Sequence, residues 1–355
     1  MRVVVTGATG NAGISVVRAL AADRTVTDVL GVARRLPHLR IPGVRWAAAD
    51  VDPGHDGLTE LFAGADALVH LAWKFQPTHD PVATWQTNVL GSIRVFEACA
   101  RAGVRVLVHA SSVGAYSPGP ADGRPVDESW PTHGWPGAAY TREKAYLERY
   151  LDGFQLAHPG MRLVRMRPAF LFQEESASEQ RRIFAGPLLP WRLIRPGLLP
   201  ALPAVSGLRF QALHTDDAAE AYRAAVVRPV HGPFNLVADP VLDTTAIADI
   251  LHTRTVPLPA GAARAALAAA WRMHLVPAAP GLLDAVLRLP LLDAGRAREE
   301  LGWAPAATAT EAVAEFFEGL HRGAGTGTPP LAPAGAGAGG GGGAGGGGRS
   351  APPGR

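Results

Sequence analysis

A glycine-rich turn near the start of the chain constrains the fold more than any other feature of the sequence. The apolar run Val3–Val5 leads directly into Thr6-Gly7-Ala8-Thr9-Gly10-Asn11-Ala12-Gly13, and a helical pattern follows. Glycines with this spacing permit a tight turn, close backbone approach to a pyrophosphate, and close packing of helix on strand. The helix N-terminus then offers free N–H groups to an anion. We therefore expect a dinucleotide-binding turn that uses Gly7, Thr9, Gly10, Asn11, Ala12 and Gly13.

The alternative for this segment is an ordinary strand-to-helix turn, because the chain contains 41 glycines. The wider pattern favours the dinucleotide turn, since short apolar segments alternate with helical segments through the first half of the chain. Such alternation is typical of a parallel sheet covered by helices on both faces. We predict a Rossmann-type doubly wound α/β fold. Strands are expected at Arg2–Thr6, Asp28–Ala33, Val44–Ala49, Ala67–Leu71, Arg105–Ala110 and Arg162–Arg167, and helices at Ala12–Ala22, Leu58–Ala63, Val82–Ala102 and Gly137–Ala157.

The regular alternation of predicted strands and helices ends after Pro168. The segment Phe184–Pro203 is apolar and rich in proline, and shorter elements follow it, including a predicted strand at Pro233–Val237. We expect a dinucleotide-binding domain over residues 1–168, to which some later segments return, and a smaller mixed α/β substrate-binding domain over 169–322. Residues 323–355 consist almost entirely of Gly, Ala and Pro, so the sequence predicts a disordered tail there.

Composition excludes several classes of protein. The single cysteine, Cys99, cannot form an internal disulfide or a multi-cysteine metal site, so we expect no metal and a cytoplasmic protein. The net charge of +3 is small, and no nucleic-acid partner is expected. The apolar stretch Leu258–Leu292 contains Arg264 and Arg272, and it lacks the run of about 18 apolar residues that a membrane span needs. We predict neither a signal peptide nor a membrane segment.

Tyr140 and Lys144 form the most specific chemical pattern in the chain. Residues four apart share one face of a helix, so the phenol and the ammonium can approach a common site. The chain has only two lysines, Lys74 and Lys144, among 34 basic residues, and a compact ammonium is therefore retained where arginine is the general choice. A nearby positive charge lowers the pKa of a phenol, so Tyr140 is expected to accept or donate a proton. The alternative is an ordinary surface pair.

Several further motifs occur in an order that resembles the extended short-chain dehydrogenases, the epimerase/dehydratase family, over roughly residues 1–320. Beside the glycine turn, the resemblance rests on His70-Leu71-Ala72, Asn88-Val89-Leu90-Gly91-Ser92, Ala110-Ser111-Ser112 with Tyr116, Tyr140-Thr141-Arg142-Glu143-Lys144, Arg167-Pro168, His214-Thr215-Asp216-Asp217, Phe234-Asn235 and Glu300-Leu301-Gly302-Trp303-Ala304-Pro305. It implies catalytic roles for Ser112, Tyr140 and Lys144. It also implies that the dinucleotide contacts Asp50, Val51, Leu71, Ala72, Asn88, Tyr140, Lys144 and Pro168.

The chain departs from the sugar-modifying members of that family. Val113 and Gly114 stand where the dehydratases carry an Asp-Glu pair, which excludes their elimination chemistry. Phe210 stands where nucleotide-sugar enzymes place an arginine for the diphosphate. We therefore expect an oxidoreductase that transfers hydride between a nicotinamide and a small alcohol or ketone, either apolar or sugar-like. A nucleotide-sugar 4-epimerase and a non-catalytic dinucleotide-binding redox sensor stay open, as does a homodimer.

The end of the second strand favours NADP over NAD as the cofactor. In NAD-binding folds an acidic residue about 20 positions beyond the glycine turn binds the ribose 2′-hydroxyl, whereas a nearby arginine suits the 2′-phosphate of NADP. Ala33 lies 20 residues after Gly13, and Arg34 follows it. NAD stays possible, because Arg34 can equally be a solvated surface residue.

Overall fold

The chain folds around short apolar strands that alternate with amphipathic helices. The computed structural model describes residues 1–52, 54, 56–186, 194 and 197–334. The strands are β1 (Arg2–Thr6), β2 (Asp28–Ala33), β3 (Val44–Ala48), β4 (Ala67–His70), β5 (Val106–Ala110), β6 (Arg162–Pro168), β7 (Phe170–Phe172), β8 (Ala201–Val205), β9 (Arg209–His214), β10 (Gly232–Leu236), β11 (Ala238–Asp243) and β12 (Arg254–Leu258). The helices are α1 (Asn11–Ala22), α2 (Leu58–Phe62), α3 (Pro81–Trp85), α4 (Gly91–Arg101), α5 (Ala139–Ala157), α6 (Ala177–Gln180), α7 (Thr215–Val227), α8 (Thr244–Ile250), α9 (Ala260–Arg272), α10 (Pro280–Val286), α11 (Gly295–Glu300) and α12 (Ala309–Arg322).

Seven parallel strands form the central sheet in the order β10-β6-β5-β4-β1-β2-β3. Successive side chains of a strand point to opposite faces, and both faces of this sheet are covered by helices. Val3 and Val5 of β1 belong to one apolar cluster, which α1 and α7 complete. Val4 belongs to the cluster on the other face, with side chains of α4 and α5. The predicted Rossmann-type doubly wound fold is confirmed.

The predicted helix over Val82–Ala102 is present, but it is not α-helical throughout. It consists of α3, a π-helical turn over Gln86–Leu90, and α4. The wider turn lies where Asn88, which is only 1% exposed, hydrogen-bonds the backbone of Lys74 outside the helix. Apolar periodicity shows that a segment is helical, but it does not show where an extra residue widens one turn, and such turns occur frequently at functional sites.

The second half of the chain is divided between the central sheet and smaller sheets. The predicted strand at Pro233–Val237 is β10, and it pairs in parallel with β6 at the edge of the central sheet. Helix α7 also returns to this sheet, since its alanines join the same apolar cluster as β1. Outside the central sheet, β7, β9 and β11 form one small sheet, and β8 pairs with β12. Part of the predicted Phe184–Pro203 segment, residues 187–193 and 195–196, lies outside the described residues.

The prediction of a disordered tail from Gly323 onward is wrong for residues 323–334. These residues form a compact loop, in which the Ala334 amide donates to the Gly323 carbonyl and the Leu331 side chain is fully buried. The Thr328 hydroxyl donates to the carbonyl of Thr9 at 2.8 Å. Although the segment is rich in glycine, two of its side chains anchor the loop: the apolar Leu331 and the polar Thr328. Residues 335–355 lie outside the described part of the chain. No helix within that described part is both long enough and apolar enough to cross a membrane.

Candidate active site

The glycine turn follows β1 as the sequence predicts, and two of its glycines leave no room for a side chain. Gly7 has φ +72°, and a Cβ atom there would lie 2.5 Å from the Ala72 nitrogen. A Cβ atom on Gly13 would lie 2.1 Å from the Gly7 carbonyl oxygen. Gly10 is the N-cap of α1 and supplies no side-chain cap, so the first amides of that helix face the turn without a side-chain acceptor. Such uncapped amides bind phosphate groups in dinucleotide sites.

Two residues of the turn already make hydrogen bonds to distant parts of the chain, Asn11 through its side chain and Thr9 through its carbonyl oxygen. The Asn11 amide oxygen accepts hydrogen bonds from Gln173 at 2.8 Å and from Thr215 at 3.2 Å. Asn11 therefore ties α1 to the second half of the chain, and only its backbone N–H is free for an anion. The Thr9 carbonyl accepts from Thr328, and Thr9 is 5% exposed. The backbone amides at the start of α1 are therefore free to bind a cofactor, whereas the Asn11 side chain is not.

Strands β2 and β3 both lie on the side of β1 that is away from β4, and the residues that follow them lie near the glycine turn. Ala33 is buried, whereas Arg34 is exposed and has no hydrogen bond or ion pair to any described residue. Asp50 accepts a hydrogen bond from the Asp52 amide at 3.1 Å, which shapes the turn that follows β3. Val51 is buried against α4, where a Cβ atom on Gly91 would lie 3.0 Å from its carbonyl oxygen.

Ser112, Tyr140 and Lys144 come together next to the carboxyl end of β5. The Ser112 hydroxyl accepts a hydrogen bond from the Gly114 amide at 3.0 Å, and it lies beside the Tyr140 phenol, whose pKa it acts to lower. The Lys144 ammonium donates to the Ala110 carbonyl at 2.7 Å. Because β5, β4 and β1 are neighbours in the sheet, this group lies at the same sheet edge as Leu71, Ala72 and the glycine turn. Parallel sheets place their ligand sites at that edge.

The Tyr140 phenol is not activated in the way that the sequence suggested. Burial raises the pKa of Tyr140 to about 12, although the Ser112 hydroxyl acts in the opposite direction and the Glu143 charge adds to the rise. Burial lowers the pKa of Lys144 to about 7, against the carboxylates of Glu143 and Glu148, which favour the ammonium. The expected depression of the phenol pKa is therefore wrong for this structure, because desolvation exceeds the favourable contacts.

Gly114 was missed as a site residue by sequence reasoning. A Cβ atom on Gly114 would lie 2.6 Å from Cε1 of Tyr140, so only glycine lets the phenol ring pack at this depth against the turn after β5. The sequence signal was present, since Gly114 follows the Ser-Ser pair after one intervening residue, Val113.

A buried hydrogen-bond chain links α5 to the loop after β4. Asn88 accepts from the Lys74 amide at 2.7 Å and donates to the Lys74 carbonyl at 2.8 Å. It also donates to the Glu143 carboxylate at 2.7 Å, and the Thr84 hydroxyl donates to the other carboxylate oxygen at 2.6 Å. Asn88, expected to contact the cofactor, thus fixes the loop that carries Trp73.

Aromatic side chains form the walls beside Tyr140. Trp73 packs edge-on against the Tyr140 ring, with centroids 5.7 Å apart, and Phe75 stacks on the same ring at 5.5 Å. Phe184 contacts Phe75 at 5.6 Å, and both of these phenylalanines are more than a third exposed. The indole of Trp73 also lies beneath the Lys144 ammonium, 3.5 Å from the ring centroid. A ligand that reaches Tyr140 therefore meets apolar aromatic surface.

Other residues of the sequence motifs serve a structural network. Glu148, which is fully buried, pairs with Arg165 at 3.1 Å and with Arg167 at 2.8 Å. Arg167 donates to the Tyr116 hydroxyl at 2.8 Å, and Tyr116 donates to Asn235 at 2.7 Å. Pro168, predicted to contact the cofactor, is buried at the carboxyl end of β6, where it pairs with Leu236 of β10. Among the described residues, no group of three or more metal-ligating side chains comes together.

Comparison with known proteins identifies the family. A model of the NAD dependent epimerase/dehydratase family matches residues 3–236. The chain belongs to this family. It is 37% identical over 111 residues to L-arabinose 1-dehydrogenase (NAD(P)(+)) of Haloferax volcanii, a match that covers 31% of this chain and 41% of that relative. The family match confirms the resemblance that the motifs indicate. The match to the dehydrogenase covers less than half of that relative's length.

Solved structures share the fold. The UDP-glucose 4-epimerase of Thermus thermophilus in complex with NAD has a TM-score of 0.67 and 21% identity, and the match covers 90% of this chain and 99% of that one. The dTDP-glucose 4,6-dehydratase of Streptomyces venezuelae with NAD has a TM-score of 0.66 and 21% identity, with coverage of 90% and 96%. At this level of identity the likeness concerns the fold alone.

Proposed function

We propose that this protein is an NAD(P)-dependent oxidoreductase that interconverts an alcohol and a ketone, with Tyr140 as the proton donor and acceptor. The observation that carries the proposal is the meeting of Ser112, Tyr140 and Lys144 at the sheet edge where the glycine turn also lies. A hydride transfer to a ketone leaves an alkoxide that needs one proton, and the Tyr140 phenol, with the Ser112 hydroxyl beside it, can deliver that proton.

The residues of the turn fit a dinucleotide. The uncapped N-terminus of α1 presents amides to a pyrophosphate, and the absence of side chains at Gly7 and Gly10 lets the ligand approach the backbone. The cofactor supplies the hydride when it is bound. The protein's own residues orient the ketone oxygen, through the hydroxyls of Ser112 and Tyr140, and exclude water from it, through Trp73 and Phe75.

The protonation state of the site favours ketone reduction. With a pKa near 12, the Tyr140 phenol is protonated at neutral pH and is ready to act as a general acid. Ser112 is held by the Gly114 amide, so its hydroxyl hydrogen points away from that amide and can be shared with an oxygen that gains negative charge. Because its pKa is about 7, Lys144 stands close to its own midpoint at neutral pH and thus responds to small changes in local charge.

The aromatic walls favour an apolar ketone over a sugar nucleotide. Phe75 and Phe184 are partly exposed beside the phenol, and such surface gains free energy by covering apolar groups. Phe210, which stands where an arginine would grip a diphosphate, instead packs edge-on against Phe170 at 5.7 Å. We therefore propose a ketone that carries an aromatic or bulky apolar group.

NADP is the proposed cofactor, with NAD as the alternative. Arg34 stands exposed at the end of β2 with no partner among the described residues, and Ala33 presents no carboxylate there. A free guanidinium can make charge-assisted hydrogen bonds to a 2′-phosphate.

The experiment that tests this function is a screen of aromatic and aliphatic ketones with NADPH and with NADH, followed by the absorbance of the reduced nicotinamide. We expect consumption of NADPH with an aromatic ketone. A 4-epimerase would instead interconvert UDP-sugars without a net change in that absorbance. A redox sensor would bind the dinucleotide and turn over neither class of substrate. Either of these results would overturn the proposal.

A further inference from the structure

A buried carboxylate stands between the two residues of the Tyr-Lys motif. Glu143 precedes Lys144 directly on α5, and it is only 3% exposed. Both of its oxygens are held: Thr84 donates to one at 2.6 Å, and Asn88 donates to the other at 2.7 Å. Burial raises the pKa of this carboxyl group, and the two hydrogen bonds oppose the rise because they favour the ionised form. Among the described residues, Glu143 has no arginine, lysine or histidine nitrogen within ion-pair distance.

Glu143 is connected to the walls of the site through Asn88. The Asn88 side chain holds both the amide and the carbonyl of Lys74, at 2.7 Å and 2.8 Å. The neighbours of Lys74 in the chain are Trp73 and Phe75, and both of their rings pack on Tyr140. The position of the loop that flanks the phenol therefore depends on a chain of hydrogen bonds that ends on the Glu143 carboxylate.

The charges around Lys144 make Glu143 its principal free counter-charge. From α5 itself, the carboxylates of Glu143 and Glu148 both favour the ammonium and raise the pKa of Lys144, and Tyr140 lies one turn away. Glu148 is already paired with two buried arginines, Arg165 and Arg167. Among the described residues of β4 and β5, the titratable groups that face it are His70 and His109, and burial lowers the pKa of both, so they are neutral at pH 7. The exposed Arg142 guanidinium lies outward on α5.

We propose that Glu143 is a positioning residue of the Tyr140–Lys144 pair, which stabilises the Lys144 ammonium by its charge and holds the Trp73–Phe75 loop against the phenol through Asn88. This inference rests on the proposed function, because it assumes that Tyr140 and Lys144 carry out the reaction. Nothing in the Tyr-x-x-x-Lys pattern requires a carboxylate at this position. The effect depends on the burial of Glu143 and on its two donors.

Lysine NMR offers a direct test, because the chain contains only two lysines. Protein labelled with ¹³Cε-lysine gives two lysine resonances, and a Lys74→Arg background leaves that of Lys144 alone. In this background Lys144 should titrate with a pKa of about 7. Glu143→Gln keeps the shape and removes the charge: its amide oxygen can still accept from Asn88, and its amide nitrogen can donate to the Thr84 hydroxyl, which must then accept. The variant should lower the Lys144 pKa by about 1. Glu60→Gln, on the exposed surface of α2, is the matched control and should leave the midpoint unchanged.

A second variant separates the charge from the hydrogen bonds. Thr84→Val removes one donor to Glu143 and leaves the carboxylate in place, so the Lys144 midpoint should fall much less than in Glu143→Gln. If the Glu143→Gln midpoint equals that of the control, the inference is overturned. The titration needs neither substrate nor turnover. A shifted midpoint in a protein that reduces no ketone would therefore contradict the proposed function while supporting this role of Glu143.

A pH profile supplies the readout in the working enzyme. Where wild-type protein reduces a ketone, the limb of kcat that depends on the Lys144 ammonium should move to lower pH in Glu143→Gln by the same amount as the NMR midpoint. An effect on kcat that is equal at every pH would indicate a merely structural contribution and would overturn the proposed role of the charge.

Discussion

The ammonium of Lys144 lies over the indole ring of Trp73, 3.5 Å from the ring centroid, and is much closer to it than to the ring of Tyr140, whose centroid is 6.0 Å away. A cation at this distance from an indole face is attracted by the ring quadrupole. The ammonium also donates to the Ala110 carbonyl, so two contacts fix its position near the phenol. Lys144 therefore acts on the site from a fixed position that depends on the loop after β4.

The close approach of Gly114 to Tyr140 gives a first prediction. Gly114→Ala should lower kcat about tenfold to a hundredfold, because the new methyl group would lie 2.6 Å from the phenol ring and must displace it. Gly153→Ala, on the same helix as Tyr140 with open space around it, is the control. That control should keep its activity and gain roughly 0.5–1 kcal/mol in stability. Unchanged kcat in Gly114→Ala would show that the ring position does not matter.

Cofactor preference provides a second prediction. Arg34→Ala should weaken NADPH binding roughly tenfold and leave NADH binding unchanged, because one charge-assisted contact to the 2′-phosphate is lost. Ala33→Asp should shift the preference toward NADH by placing a carboxylate against that phosphate. Fluorescence titration of each variant with both cofactors measures the effect. Arg24→Ala, an exposed arginine before β2, should behave as wild type. Tighter binding of NADH than NADPH by the wild-type protein would contradict the assignment.

The buried network around Glu148 predicts a loss of stability in acid. The pKa of Glu148 is held at about 2, below the ordinary value of 4.5, because its hydrogen bonds and ion pairs with Arg167 and Arg165 outweigh the opposing effect of burial. The folded state thus binds fewer protons than the unfolded state between these values. The stabilisation is complete above pH 4.5, and it is lost as the pH falls toward 2. Its size is roughly 3 kcal/mol.

Urea unfolding from neutral pH down to about pH 3 tests this prediction. The free energy of unfolding of the wild-type protein should fall over that pH range. Glu148→Gln should have a lower free energy of unfolding at neutral pH and should show a smaller decrease toward pH 3. Glu220→Gln, which removes an exposed carboxylate of α7, should follow the wild-type curve. Equal slopes for wild type and Glu148→Gln would rule out Glu148 as the source of the acid sensitivity.

The packed loop at 323–334 predicts a stability effect of truncation. Removal of residues 323–355 should lower Tm by about 5 °C, because the fully buried Leu331 and the Thr328–Thr9 hydrogen bond are lost together. Removal of residues 335–355 alone is the control, since their sequence contains few apolar side chains to bury. Differential scanning calorimetry distinguishes the two. An unchanged Tm in the longer truncation would show that the loop contributes nothing to stability.

The sequence predicted the features that local pattern determines. The turn from Gly7 to Gly13 and the pairing of Tyr140 with Lys144 depend on residues close together in the chain, so their spacing is enough to predict them. The alternation of strands and helices was likewise enough to predict a parallel sheet covered by helices on both faces.

The features that the sequence did not predict depend on contacts between distant residues. The buried carboxylate of Glu143 is held by Thr84 and Asn88. Thr84 lies 59 residues earlier, just before the π-helical turn, and Asn88 lies 55 residues earlier, within that turn. The hydrogen bond from Thr328 to Thr9 spans 319 residues. The raised pKa of Tyr140 likewise reflects how deeply the folded chain buries it, a quantity that no spacing of motifs contains.

In the proposed function, the Tyr140 hydroxyl transfers the proton during ketone reduction. The most direct measurement compares Tyr140→Phe with wild type on the best ketone of the screen, with the consumption of NADPH and the affinity for NADPH measured in the same preparations. We expect Tyr140→Phe to lose turnover while its dissociation constant for NADPH stays within a few-fold of wild type, because only the hydroxyl is removed and the aromatic ring is kept. Near-normal turnover in Tyr140→Phe would contradict it.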